Sequence, residues 1–255
     1  MHETFVDNQR DSRIAFVVMS IAGAVLFAWP LFAGAGVVSA SLAVTVSIVA
    51  LPFVAVLLSL SADNSLNNIN AVALVGVLSA VAAVARLISV GFGGIEFVFV
   101  VVILAGRVLG ARRGFLVGVL AVALSSIFWG GFGPWTSYQM LAVGWVAAGA
   151  GLLPRRSSQS GRIEILMLGA YGVVASYGFG LLMNLWFWPI AVGPDTSLSF
   201  DEGGTLFDNA TRFVLYSLAT STLTWDTVRA VTTVVILLLV GQGALRALRR
   251  AYERV

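Results

Sequence analysis

The chain has 255 residues, 59% of them hydrophobic and 11% charged, with a mean hydropathy of +0.96. That is more apolar surface than one soluble core can hide, so lipid must cover the remainder, and the expected fold class is an all-α integral membrane protein. Cysteine is absent and His2 is the single histidine, which excludes disulfides, thiolate chemistry and histidine-held zinc; no metal and no cofactor is expected. The net charge of +3 rests on 15 basic residues, all arginine, and beside membrane spans it has a topological explanation, so no nucleic-acid partner is expected.

The first apolar run, 14–34, ends without a small-residue cleavage site and predicts a retained helix rather than a removed signal. A second run follows at 37–60. After the polar loop 61–70 come runs at 71–90, 114–130, 137–153, 163–192 and 226–246, each near the roughly 20 residues needed to cross the hydrocarbon. A shorter run at 96–109, between a glycine-rich turn and Arg112–Arg113, fits a tilted or shallow crossing. The chain therefore reads as about eight crossings: a two-helix extension, 1–62, and a six-helix body, 63–255.

Arginine clusters set the orientation, because basic loops stay in the cytoplasm. With the N-terminus inside, Arg10, Arg13, Arg112, Arg113, Arg155, Arg156, Arg162, Arg246, Arg249, Arg250 and Arg254 share the cytoplasmic side. The acidic residues Asp195, Asp201, Glu202 and Asp208 fall in the long outer connection, 193–225. Helical spacing of Phe207, Phe213, Val214 and Leu218 in that connection predicts either a lid or a helix resting on the outer membrane surface.

Charges inside spans need a partner or an aqueous cavity. Arg86, Glu96, Asp226 and Arg229 are such cases, all toward the outer ends of their helices. Arg86 and Glu96 flank the turn Gly91-Phe92-Gly93-Gly94, where a ligand cavity competes with simple pairing or snorkelling. The turn Trp129-Gly130-Gly131-Phe132-Gly133-Pro134-Trp135-Thr136-Ser137-Tyr138-Gln139-Met140 combines a rigid backbone with aromatic rings and an amide, a composition that stacks a flat ring and reads its edge. An aromatic belt at the headgroup level is the competing explanation, and it serves equally for Trp186 and Trp188 beside Asn184. Small residues including Gly76, Ala80, Ala83, Gly114 and Gly118 allow close helix approach, either within the bundle or against a partner. The chain has no phosphate-binding loop and no hydrolase motif, so an enzyme is not expected.

In order along 71–250, the stretches Ala85-Arg86-Leu87, Ala105-Gly106-Arg107-Val108-Leu109-Gly110-Ala111-Arg112-Arg113-Gly114-Phe115, Gly131-Phe132-Gly133-Pro134-Trp135, Gln139-Met140-Leu141-Ala142, Gly149-Ala150-Gly151-Leu152-Leu153 and Trp225-Asp226 through Arg229-Ala230 resemble a substrate-binding S component of an energy-coupling factor (ECF) transporter. The resemblance excludes the first two spans, since S components typically have six helices. It implies a receptor in the bacterial cytoplasmic membrane, termini inside, that captures a vitamin or related micronutrient at its outer face for uptake driven by a transmembrane T component and two ABC ATPases. Cobalamin-like molecules, thiamine, riboflavin and lipid-like intermediates are all candidates. It further implies ligand contacts at Arg86, Glu96, Trp129, Phe132, Trp135, Tyr138, Gln139 and Asn184, with Asp226 and Arg229 behind them, and T-component docking at Gly76, Ala80, Ala83, Gly114 and Gly118. The rival reading is a non-transporting scaffold or assembly partner of another membrane complex.

Overall fold

A backbone in hydrocarbon must satisfy its own polar groups, and helices do so within one segment. In the computed structural model every regular element among the described residues, 2–34, 36, 39–63, 69–89, 93–154, 161–193 and 196–254, is helical. Gly91, Phe92, Arg155, Arg156, Asp195 and residues 64–68 of the predicted loop lie outside the described residues.

The helices are α1 (His2–Phe27), α2 (Trp29–Gly34), α3 (Ala40–Asp63), α4 (Ile69–Ile88), α5 (Val98–Leu109), α6 (Ala111–Phe128), α7 (Pro134–Leu152), α8 (Gly161–Ala191), α9 (Leu206–Ser217) and α10 (Thr227–Glu253). Five segments are long and apolar enough to span a membrane: Ala40–Leu58, Ile69–Ile88, Ala111–Phe128, Gly161–Ala191 and Leu206–Glu253. The shorter apolar helices Arg13–Phe27 and Val98–Leu109, together with α7, occupy the remaining predicted crossings. The run predicted as one helix over 14–34 is two, because the chain turns at Ala28 and Pro30, which has no N–H to give, sits in the first turn of α2.

The centre of the bundle is the packing of α5, α6 and α7, where backbones touch. A Cβ on Gly106 would lie 1.8 Å from the carbonyl oxygen of Ala147, and one on Gly118 would lie 2.7 Å from that of Val143. Gly114 likewise faces the backbone of Gly106. Tight packing within the chain therefore occupies the surface of Gly114 and Gly118, whereas Gly76 has open space around it and Ala80 is exposed; Ala83 is buried. Helix α4 packs on α6 and α5 and leaves Val72, Val77, Val81 and Val84 exposed.

The predicted division between α9 and the last span is absent: Leu206–Glu253 is one continuous helix of 48 residues. Its middle, Leu218–Asp226, is π-helical, and the bond from Thr227 Oγ1 to the Thr222 carbonyl, 2.9 Å, follows that wider turn. At about 1.5 Å per residue such a helix exceeds the roughly 30 Å of hydrocarbon, so part of it must stand beyond the bilayer. Thr205 caps its first turn by accepting from Asp208 N at 3.1 Å.

The N-terminal extension is joined to the body by side chains. Phe16 meets Phe115 edge-on, ring centroids 5.2 Å apart, and Phe27 meets Tyr138 at 4.8 Å. The start of α3 is tied to the long connection, where Glu202 Oε1 accepts from Ala40 N at 2.8 Å. Trp186 and Trp188, which the belt explanation places at the headgroups, are buried. Trp186 stacks on Tyr138 at 4.2 Å, and Trp188 Nε1 donates to the Leu198 carbonyl at 2.7 Å. Their burial leaves no surface for a headgroup contact.

At the end of the bundle that carries the termini, Arg107 in α5 is buried. Its Nε donates to Glu164 Oε1 at 2.7 Å, and its terminal nitrogens donate to the carbonyls of Leu153 and Pro154 at 2.8 and 3.1 Å. Arg249 of α10 donates to the same Glu164 oxygen at 2.5 Å. One carboxylate thus ties α5, α8 and α10 together, and the guanidinium holds the end of α7.

Candidate functional site

At the opposite end, helices α4 to α8, the π-helical stretch and the connection before α5 meet around a cavity of about 270 Å³ whose lining includes Arg86, Glu96, Trp129, Gln139, Phe179 and Trp225. Each side chain arrives from a different element. Arg86 sits in the last turn of α4, where a cation favours the helix C-terminus. Glu96 lies just before α5, and Trp129 caps the end of α6 in extended backbone. Gln139 is in the second turn of α7, a helix opened by Pro134 and by the bond from Gly133 N to Thr136 Oγ1, 2.9 Å. Phe179 belongs to α8 and Trp225 to the π-helical stretch.

Gly94 is required here. Its φ is +90°, a region that favours glycine, and a Cβ would lie 2.7 Å from the Trp225 carbonyl oxygen, so the connection before Glu96 can lie directly on the π-helical backbone. Gly180 serves α8 in the same way, since a Cβ there would overlap the Asp226 carboxylate.

Two polar groups face one another across this end. Arg86 donates to Ser125 Oγ at 2.8 Å and to Gln139 Oε1 at 2.7 Å. Arg229 donates to Asp226 Oδ1 at 2.6 Å, to the Ser176 carbonyl at 3.1 Å and to Glu96 Oε1 at 2.8 Å, while its guanidinium lies 4.9 Å from the Phe179 ring centroid and 5.3 Å from that of Phe99. Asn184 Nδ2 donates to Ser221 Oγ at 2.7 Å, and that hydroxyl donates to Asp226 Oδ2 at 3.1 Å. A continuous chain of polar contacts therefore runs Asn184–Ser221–Asp226–Arg229–Glu96 and ends at the cavity wall. Buried charges are tolerated when paired and hydrogen-bonded in this way.

The arrangement can recognise a small polar molecule. Glu96 is 29% exposed at its side chain, and its Oε2 takes no bond among the described residues. The Nε2 amide of Gln139, as oriented by its bond to Arg86, likewise has no partner among them. An acceptor and a donor thus face the cavity between the aromatic surfaces of Trp129, Trp225 and Phe179. Two arginines, Arg86 and Arg229, balance two carboxylates, Glu96 and Asp226, so the cluster is formally neutral.

Of the sequence candidates, Arg86, Glu96, Trp129 and Gln139 line this cavity, and Asn184, Asp226 and Arg229 form its support. The other three lie elsewhere. Tyr138 is wholly buried, stacked on Trp186, and its hydroxyl donates to Ser47 Oγ of α3 at 2.7 Å, which makes it a joint with the N-terminal extension. Trp135 is half exposed and folds its ring over Gly133. Phe132 borders a lateral apolar groove with Pro52, Ala55 and Met140. Sequence reasoning missed Ser89, Phe179 and Trp225 at the cavity. Only Trp225 carried a signal, by standing next to Asp226 at the start of an apolar run.

Neither the curated proteins nor the solved structures yield a match. The family model described as the ECF transporter substrate-specific component matches residues 70–241, about two thirds of the chain, from the first turn of α4 into α10, and leaves α1 to α3 outside. With helices throughout, several of them able to span a bilayer, and this match over most of the body, the chain belongs to the substrate-specific components of ECF transporters, the multi-pass membrane subunits that select the transported substrate.

Proposed function

We propose that the cavity between Arg86, Glu96, Gln139 and Trp129 is the substrate site, that it opens on the outer face of the bacterial cytoplasmic membrane, and that the captured molecule is a vitamin-like micronutrient. The observation that carries the reading is a cavity with an acceptor, a donor and aromatic walls at the end of the bundle opposite the arginine-rich termini. Basic loops stay in the cytoplasm, so this end faces outward. A volume of about 270 Å³ suits a compact ring compound and is small for a corrin macrocycle, so a cobalamin-like ligand is disfavoured. The neutral charge balance favours an uncharged or zwitterionic molecule, because a net charge would remain uncompensated in a partly desolvated site.

Uptake is completed by a T component and two ABC ATPases, which supply the hydrolysis. Docking runs along α4, whose exposed valines and open Gly76 and Ala80 leave a smooth face free of the N-terminal extension. Native mass spectrometry with metabolite identification on protein taken from its source membrane tests the site. Wild type and Trp135→Ala should hold one small organic molecule that Gln139→Ala and Trp129→Ala lose. A reproducibly empty wild type that also fails to co-purify ATPases would instead support the scaffold reading.

A further inference from the structure

A second cavity, of about 540 Å³, lies at the arginine-rich end between α1 and the junction of α5 with α6. One side is apolar, formed by Phe16 and Val17 of α1 with Leu152 at the end of α7; the other is basic, formed by Arg13 of α1 and by Arg112 and Arg113 in the first turn of α6. No carboxylate lines it among the described residues. Arg113 is engaged, donating to the Tyr252 hydroxyl at 2.7 Å. Arg13 and Arg112 make no hydrogen bond or ion pair among the described residues, and the Nε of Arg112 is buried without an acceptor. The start of α6 adds unsatisfied backbone N–H groups of the same sign, with no side-chain cap.

Three like charges around a cavity, one with an orphaned donor, call for an anion, and an apolar wall beside them calls for hydrocarbon attached to it. We propose that this cavity binds the headgroup of an anionic phospholipid, its phosphate between Arg13 and Arg112 and its acyl chains along Phe16, Val17 and Leu152. Basic pockets between helices at the membrane boundary recognise such headgroups. Arg13, Phe16 and Val17 all come from α1, outside the family-matched residues 70–241, so the site exists only because the extension packs there. The lipid then fastens the extension to the body, and the extension makes the subunit sensitive to membrane composition. None of this depends on which molecule the opposite cavity takes.

The test uses the full chain in detergent, titrated with phosphatidylglycerol, phosphatidylcholine or inorganic phosphate, with bound lipid counted by native mass spectrometry. Phosphatidylglycerol should be retained in preference to phosphatidylcholine and should not be displaced by phosphate at equal concentration. Arg13→Gln and Arg112→Gln should each weaken retention about fivefold. Arg246→Gln, an exposed arginine at the same end but outside this cavity, should leave retention unchanged. Equal retention of the two lipids, or equal loss in Arg246→Gln, overturns the proposal. Displacement by phosphate assigns the cavity to a soluble anion, and absence of any lipid leaves an acidic segment of a partner protein as the fit; both overturn the lipid assignment. Should Arg112→Gln fail to fold, Arg13→Gln carries the test, because Arg13 is exposed.

Discussion

Each end of the bundle holds an arginine in a polar network, Arg107 beside Glu164 at one end and Arg86 beside Gln139 at the other, yet the two do different work. Arg107 divides its bonds between Glu164 and the carbonyls of Leu153 and Pro154, so two of its partners are backbone atoms that move only if α7 moves. Arg86 bonds to side chains, Ser125 and Gln139, on the wall of a cavity, and Glu96 shares that wall. A guanidinium tied to backbone is a staple, whereas one tied to side chains can exchange partners when a ligand enters. The difference between Arg107 and Arg86 lies in what each is bonded to, since the residue type is the same; Arg229, behind the cavity, combines both kinds of partner, the Ser176 carbonyl and two carboxylates.

The largest effect expected from this contrast is on stability. Arg107→Met leaves Glu164 with Arg249 as its remaining cation among the described residues and takes the donor from the Leu153 and Pro154 carbonyls, and should cost about 3–5 kcal/mol, read as a lower unfolding midpoint in detergent with ligand occupancy per folded molecule unchanged. An unmoved midpoint would dissolve the distinction between the ends. Next comes the packed centre: Gly106→Ala places a methyl against the Ala147 carbonyl and should cost about 1–3 kcal/mol or more, while Gly76→Ala, with nothing near its Cβ, should be neutral or stabilising. Equal outcomes for the two glycines would contradict the backbone contact between α5 and α7.

At the cavity the expectation is inverted. Glu96→Gln keeps the shape, and Arg229 keeps Asp226, so the midpoint should change little while ligand retention falls about tenfold, equivalent to about 1.4 kcal/mol. A variant that unfolds without changing retention would place Glu96 with the staples. The smallest effect belongs to Arg212→Gln in α9. Its pair with Asp201 is 3.7 Å long and both partners are substantially exposed, so the loss should stay below about 1 kcal/mol in the same unfolding measurement. A larger loss would show that the 3.1 Å bond from Arg212 to the Ser199 carbonyl, more than the ion pair, holds the connection before α9.

Much of the architecture was legible in order along the chain, because apolar runs of spanning length report lipid directly and need no knowledge of neighbours. The four charges read inside spans, Arg86, Glu96, Asp226 and Arg229, converge on one polar region for the same reason: hydrocarbon forces each to find another. Tyr138 and Trp186 were not legible. An aromatic ring suits a ligand cavity, a headgroup layer and a helix joint equally well by composition, and only the position of Ser47 and Phe27 on neighbouring helices makes Tyr138 a joint. Arg107 and Glu164 lay in view as charges within apolar runs, but their pairing spans 57 positions, beyond any local pattern.

The sequence by itself determined that this protein is helical, that it lies in a membrane and in what order its helices run, since transfer free energy depends on composition along a segment. The tertiary structure alone decided which glycines are contacts between helices, that α9 continues through a π-helical stretch into α10, and which aromatics face a cavity. Those outcomes depend on the three-dimensional neighbours of each side chain, and atoms brought within a few ångströms by packing leave no periodic trace in the chain.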